Sequence, residues 1–204
     1  MKQIKTTFNY TMGMMALAAV FSLGCSAPDA TTTTDVAPTT QEVAPAPEAP
    51  AAPQLTDPEI AHVAVTANQI DIDYAAIAKQ KSKNQSIIHF ADAMATDHSG
   101  VIKQAVALAT KLNVTPLDNA MSQSLVSGAN DVKARLNTLE GAAFDKAYID
   151  NEVAYHQAVI DAVSNVLIPQ TQNAELKALL LSVAPVLNTH LEHAEMVQKE
   201  LAGK

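Results

Sequence analysis

The apolar residues from Leu55 onward recur at the three- and four-residue spacing of an amphipathic helix, and no strand-like alternation persists. The pattern is interrupted around Asn84, Asn113 and Gly141 and at Pro169, where turn-forming or helix-breaking residues stand. Roughly 150 residues remain from this point, which is enough for one domain with a genuine core. The sequence therefore predicts an all-α domain with four long helices and one shorter helix.

The helix boundaries follow from the residues at the interruptions. Thr56-Asp57-Pro58-Glu59 combines a capping residue, a first-turn proline and an acid beside the helix dipole, as is typical of a helix N-terminus. Pro185 lies inside the last helix, where it should kink the axis. We predict a first long helix to about residue 82, a second to about 112, a shorter helix over about 120–139 that ends at Gly141, a third long helix stopped by Pro169, and a fourth over about 173–201.

The lengths of the connections predict the topology. The first and second long helices are joined by a short link, as are the third and fourth, so each pair should be antiparallel. The link between the second and third long helices is about thirty residues and contains the shorter helix, so it can travel the length of a bundle. This is the ferritin-like, up-down-down-up four-helix bundle with one long crossover.

Ionisable side chains fall on the apolar faces of all four long helices, where a water-soluble bundle should be apolar. Burying a carboxylate or an imidazole costs several kcal/mol unless it is paired, hydrogen-bonded or bound to a metal. At about 1.5 Å per residue, the predicted topology places the whole set between about 17 and 25 Å above the start of the first helix. The residues are Asp71, His98, Glu152, His156 and His190.

The residue types predict either a metal site or a polar network. Glu152 and His156 are four residues apart and can reach one point, and His193 lies one turn beyond His190. Imidazoles with carboxylates suit Zn, Fe, Mn, Cu or Ni rather than Ca or Mg. The alternative is a metal-free network in which the carboxylates pair with histidines and with Tyr74, Tyr148 and Tyr155. His193 could be a ligand, a partner of a ligand or a rim residue, whereas His62 and His89 lie on polar faces and should be solvated.

The N-terminal residues predict export. Lys2 and Lys5 precede an apolar run over residues 12–23, which is too short to span a bilayer and is typical of a signal peptide. Gly24-Cys25 resembles the lipobox of bacterial lipoproteins, although Ser22 stands where leucine is usual. We expect residues 1–24 to be the signal peptide and Cys25 to be lipidated. The alternative is an ordinary cleaved signal with an incidental cysteine.

The next segment predicts a tether. Residues 25–54 are rich in Ala, Pro and Thr, contain no Lys or Arg, and cannot bury enough surface to fold, so the helical domain should occupy residues 55–204. Without Lys2 and Lys5, the 13 basic residues become 11 against 21 acidic residues, a formal charge of −10. This charge argues against nucleic acid as a partner. Ser26 follows the cysteine, as in lipoproteins of the outer membrane, so we expect an envelope protein anchored there through Cys25 and facing the periplasm.

Four stretches resemble a bacterial family, the domain of unknown function 4142, which is often labelled "predicted outer membrane protein" and is placed in the ferritin-like superfamily. The resemblance covers roughly residues 55–201 and implies a four-helix bundle exported to the envelope, with no established activity. The stretches are Leu55-Thr-Asp-Pro-Glu-Ile60, Met94-Ala-Thr-Asp-His98, Gly141 to Tyr148 continuing through Glu152-Val-Ala-Tyr-His156, and His190-Leu-Glu-His193.

The ferritin-like resemblance also provides a test for oxygen chemistry. Di-iron bundles carry a Glu on each of two helices and Glu-x-x-His on each of the other two. Here Asp71 and Glu152 match the lone carboxylates, but Ala95 and His190 stand where the other two Glu residues are expected. Two bridging carboxylates are therefore absent, which argues against ferroxidase chemistry.

Three functions remain open from the sequence. The first is a lipid-anchored envelope protein whose core binds a transition metal without turnover. The second is a structural or partner-binding bundle with a metal-free polar centre. The third is a metal-dependent redox or hydrolytic enzyme with Glu152 as its base, and this is the least favoured, so we expect the protein not to be an enzyme.

Overall fold

The computed structural model describes residues 54–203, so the expected signal peptide, Cys25 and nearly all of the expected tether lie outside the described residues. No helix in the described part is both long enough and apolar enough to cross a membrane. Every regular element between residues 54 and 203 is helical: α1 (Asp57–Lys81), α2 (Gln85–Lys111), α3 (Ala120–Asn137), α4 (Gly141–Ala162), a π-helical turn (Val163–Leu167), the single turn α5 (Ile168–Gln170), and α6 (Ala174–Ala202).

Polar side chains start the helices where the sequence predicts. The Glu59 carboxylate accepts hydrogen bonds from the backbone N–H and the hydroxyl of Thr56, at 2.8 and 2.7 Å, and this fixes the start of α1. Asn84, Asn119 and Asn173 accept hydrogen bonds from first-turn N–H groups of α2, α3 and α6. Local capping therefore sets the helix starts.

Contacts at the lower end of the bundle, where α1 begins, give the direction of three other helices. The Asp57 carboxylate accepts 2.8 Å hydrogen bonds from the backbone N–H groups of Gln172 and Asn173, so α6 also begins there. Lys111 forms an ion pair with Glu175, which places the end of α2 at the same level. The side-chain amide of Asn119 donates to the Glu59 carbonyl, so α3 also begins at this end.

The upper end of the bundle completes the topology. Lys81, at the end of α1, donates to the Asn137 carbonyl at 2.9 Å and to Glu140 at 2.8 Å, so α3 ends and α4 begins there. The Ser86 hydroxyl contacts the Glu200 carboxylate, which joins the start of α2 to the end of α6. The four long helices therefore run up, down, down and up, and α3 is the crossover. The predicted fold is confirmed.

Two local predictions were wrong. The third long helix does not stop at Pro169. A π turn precedes the proline, and helical structure continues through it to Gln170. An α-helical turn would press the proline ring against the Asn165 carbonyl, four residues earlier, and the wider turn relieves this. Gly141 does not end the crossover helix either; it begins α4, with a φ of 57° that a glycine adopts at no steric cost.

The core consists of two apolar clusters, one in each half of the bundle. The upper cluster contains the large aromatic side chains of the core, with Phe90, Phe144 and Tyr148 fully buried. The lower cluster is aliphatic and includes Ile60, Val63, Val163, Leu167, Leu176, Leu180 and Leu187. The polar side chains predicted for mid-bundle lie where the two clusters meet.

Because the Asp57 carboxylate joins the start of α1 to the start of α6 by two hydrogen bonds, its substitution should destabilise the domain. We expect Asp57→Ala to lower the free energy of unfolding by about 2 kcal/mol, since two backbone N–H groups lose a charged acceptor. Urea denaturation measures this change. Asp131→Ala, an exposed substitution on α3, is the matched control, and equal effects of the two substitutions would contradict the prediction.

Candidate metal centre

The structure gathers the predicted polar side chains from all four long helices. Asp71 comes from α1, His98 from α2, Glu152 and His156 from α4, and His190 from α6. None of the five is more than 5% exposed. They form two overlapping groups of potential ligands, His98 with His156 and His190, and Asp71 with Glu152 and His156. Within each group, one ligand atom per residue lies within 4.8 Å of the others.

The three imidazole rings form a nearly equilateral triangle. The ring centroids are 5.7 Å apart for His98 and His156, 5.1 Å for His98 and His190, and 5.5 Å for His156 and His190. Like rings from three different helices thus converge without aliphatic side chains between them. What such a cluster can bind depends on which nitrogen of each ring faces the centre.

The protonated nitrogen of His156 follows from its hydrogen bond. His156 Nδ1 lies 2.9 Å from the backbone carbonyl oxygen of Glu152, one turn earlier on α4. A carbonyl oxygen only accepts, so Nδ1 must carry the hydrogen. In the neutral ring, Nε2 then presents a lone pair.

The same reasoning applies to His98. Its Nδ1 lies 2.7 Å from Asn68 Oδ1, and the Asn68 amide nitrogen donates to the Ala64 carbonyl at 2.7 Å. The second bond fixes the amide orientation, so the oxygen of Asn68 faces the ring and His98 Nδ1 donates to it. His98 Nε2 therefore carries a lone pair.

His190 is oriented from α2. Its Nε2 lies 3.0 Å from a carboxylate oxygen of Asp97, the residue directly before His98. Because the carboxylate accepts, Nε2 donates and Nδ1 is left with the lone pair. Each of the three rings is thus held by an oxygen acceptor, which is how proteins orient histidine ligands of metals.

The lone-pair nitrogens have no hydrogen-bond donor among the described residues. His98 Nε2, His156 Nε2 and His190 Nδ1 are all buried without a hydrogen-bond partner in that part of the chain. Asp71 Oδ2 lies 3.1 Å from His98 Nε2 and 3.3 Å from His156 Nε2, but neither contact has hydrogen-bond alignment. The three inward nitrogens are therefore acceptors to which no described residue donates.

The two carboxyl groups at the centre, Asp71 and Glu152, are buried as well. Both oxygens of Asp71 and both oxygens of Glu152 are buried without a hydrogen-bond partner among residues 54–203. Burial raises the pKa of the Glu152 carboxyl well above its usual value, and the Asp71 charge raises it further. Burial also lowers the pKa of His156 and of His190, although Asp71 opposes this at His156 and Asp97 opposes it at His190. The two imidazoles are therefore held neutral, with their lone pairs available.

Two of the three predicted tyrosines do not supply aligned donors in the way that the metal-free alternative needs. The Tyr155 hydroxyl donates to the Ala67 backbone carbonyl at 2.9 Å instead of to a carboxyl group. The Tyr148 hydroxyl is buried and lies close enough to Glu152 to lower the pKa of that carboxyl, but the contact falls short of an aligned hydrogen bond. Burial raises the pKa of Tyr148 well above its usual value, so this hydroxyl keeps its proton.

The remaining histidines lie apart from the centre. His193 is half-buried, packs its ring edge-on against Phe90 at 5.1 Å between centroids, and belongs to neither ligand group. His89 is exposed, as predicted, and the His62 side chain is 31% exposed, 3.8 Å from Asp118. The metal role of all six predicted ligands stays a prediction, but the structure brings only five of them together.

Sequence reasoning missed two residues that hold the rings, Asn68 and Asp97. Asn68 is 9% exposed and lies three residues before Asp71, so its place on the buried face of α1 was a usable signal. Asp97 is adjacent to His98, and neighbouring helical residues point about 100° apart. It therefore faces α6 while His98 faces the centre, and only the packing of α2 against α6 reveals the contact.

The pKa shift of Glu152 gives a test of its environment. If a carboxyl group binds its proton more tightly in the folded state, the protein loses stability as pH rises past the ordinary pKa of that group, here 4.5. We expect metal-free Glu152→Gln to gain stability relative to the unsubstituted protein as pH rises from 4.5, by about 1.4 kcal/mol per pH unit until the carboxyl ionises. Denaturation at several pH values, in the presence of a chelator, measures this stability difference. The control Glu195→Gln, at an exposed site, should show no such trend. A pH-independent difference would contradict the prediction.

Comparison with known proteins gives a fold relative and a family. No curated protein matches the chain. The solved structure of CopM in its Cu(II)-bound form is similar in fold, with a TM-score of 0.57 and 18% sequence identity over 72% of this chain and 98% of that chain. The model of the domain of unknown function DUF4142 matches residues 42–197. The predicted family is thereby confirmed, and the chain belongs to DUF4142.

Proposed function

We propose that the bundle binds one divalent transition-metal ion at mid-height, with His98, His156, His190 and Asp71 as its ligands. The observation that carries this proposal is the set of three inward imidazole lone pairs, none of which receives a hydrogen bond from the described residues, beside the buried Asp71 carboxylate. Three neutral nitrogens and an anionic oxygen repel one another in a low-dielectric interior, and a cation removes that repulsion.

The ligand set favours copper or zinc. Imidazole nitrogen with one carboxylate suits both ions, and divalent copper binds such donors more tightly than the other first-row metals. The fold relative CopM, which is described in a Cu(II)-bound form, supports testing copper first. Nitrogen and oxygen ligands lie about 2.0 to 2.2 Å from such an ion, so the centre would contract slightly on binding.

The site supports binding without turnover. Four protein ligands complete a tetrahedral site, whereas a catalytic site keeps a position open for water or substrate. Glu152 would then serve as a buried neutral neighbour that limits the negative charge around the ion. An envelope protein of this kind would sequester or buffer the metal outside the cytoplasm, anchored to the outer membrane through lipidated Cys25.

Metal content of the purified domain tests the proposal. We expect one equivalent of Cu²⁺ or Zn²⁺ per chain by elemental analysis, and no stoichiometric binding by His98→Ala or His156→Ala. His89→Ala removes an exposed imidazole and should bind as the unsubstituted protein does. Absence of metal above background in the unsubstituted protein, after incubation with either ion, would refute the proposal.

The oxygens that orient the rings give a second test. We expect Asn68→Leu and Asp97→Leu each to weaken metal affinity by about 10- to 100-fold, because the ring that each residue orients loses its acceptor. His193→Ala should leave affinity unchanged, since this ring lies outside both ligand groups. Competition titration against a chelator of known affinity measures all three, and a larger loss for His193→Ala than for Asn68→Leu would overturn the assignment.

A further inference from the structure

The lower half of the bundle contains a cavity that metal binding does not explain. Its volume is about 190 Å³, and it extends from Asp57 and Asn173 at the lower end to Asp71, His98 and His156. Asp57 and Asp71 are fourteen residues apart on α1, so the cavity is about 21 Å long. Protein interiors are normally packed without voids larger than a water molecule.

The walls of the cavity are apolar. They are aliphatic side chains of the four long helices together with small residues that leave the space open, among them Ala61, Ala64, Ala105, Ala109 and Ala162. A hydrated ion would lose its water against such walls, so this is not a route for a metal. Apolar cavities of this kind stay dry and take up apolar molecules.

The inner end of the cavity is different in character. Asp71, His98 and His156 line it, each buried and each with an unpartnered acceptor atom. Asp71 has two such oxygens, so one can face an ion while the other accepts a hydrogen bond from a second molecule. A bound molecule should therefore be apolar along its length and carry a neutral hydrogen-bond donor at one end.

We propose that this cavity binds a neutral, single-chain alkyl alcohol, with its hydroxyl group donating to Asp71 and its chain along the lower half of the bundle. A dry cavity of about 150 Å³ holds the six carbons of benzene, so 190 Å³ accommodates a chain of roughly eight carbons. An alkyl carboxylate of the same length is disfavoured, because its charge would meet Asp71 with no cation between them. The proposal does not depend on a bound metal.

Calorimetric titration of the chelator-treated domain with 1-octanol tests the proposal. We expect one saturable site and a negative heat-capacity change from apolar burial. Octanoate should bind at least tenfold more weakly than 1-octanol. Absence of saturable octanol binding would overturn the proposal, and octanoate binding as tightly as octanol would overturn the placement of the polar end.

Substitutions that fill the cavity separate this site from non-specific uptake. Ala109→Phe and Ala162→Phe should each weaken octanol binding at least tenfold while circular dichroism and thermal unfolding show a folded domain. Ala76→Phe adds the same ring at an exposed position of α1 and should leave octanol binding unchanged. Octanol binding that survives both filling substitutions would overturn the proposal.

The same variants keep the two proposals distinct. None of the three substituted alanines is a proposed metal ligand, so copper and zinc content should be unaltered in the filled variants. Loss of octanol binding with metal content retained supports the cavity as a separate site. Metal binding without octanol binding in the unsubstituted protein refutes the cavity proposal alone.

Discussion

The hydrogen bonds that turn three imidazoles inward are the interactions on which the character of this bundle depends. Each ring donates from one nitrogen to an oxygen outside the cluster, at Asn68, at Asp97 or at the Glu152 carbonyl. The other nitrogen of each ring then faces the interior without a hydrogen and can only accept. Without these bonds the rings could reorient to donate to Asp71, and the centre would be an ordinary buried polar network. With them, the interior lacks positive charge.

The position of the centre follows from how the two halves of the bundle are packed. Above it, aromatic side chains fill the space between the helices, and Phe90 contacts the His156 and His193 rings edge-on. Below it, alanines leave room that aliphatic side chains do not fill. The polar centre therefore lies between a filled apolar cluster above and a cavity below. The acceptor cluster lies at the inner end of that apolar cavity, and its exposed neighbour is Asp97, whose side chain is 49% exposed.

Helical periodicity and link lengths were sufficient to predict the fold, because both depend on local properties of the chain. The common height of five buried polar residues was also predictable, since the rise per residue of a helix converts sequence position into height; they are Asp71, His98, Glu152, His156 and His190. The lateral contacts between helices were not predictable. The acceptor for Tyr155 proved to be the Ala67 carbonyl, and the partner of His190 proved to be Asp97, since both depend on helix rotation and separation. The π turn before Pro169 escaped prediction because it changes one hydrogen-bond register without changing the apolar pattern.

The crossover helix α3 separates the chain into two hairpins, α1 with α2 and α4 with α6, and each hairpin contributes half of the inward-facing centre. Asp71 and His98 come from the first, and His156 and His190 come from the second. Neither hairpin can assemble the centre alone. An ion held by all four side chains would act as a clamp across segments far apart along the chain, so its binding energy would oppose separation of the hairpins more than fraying within either one.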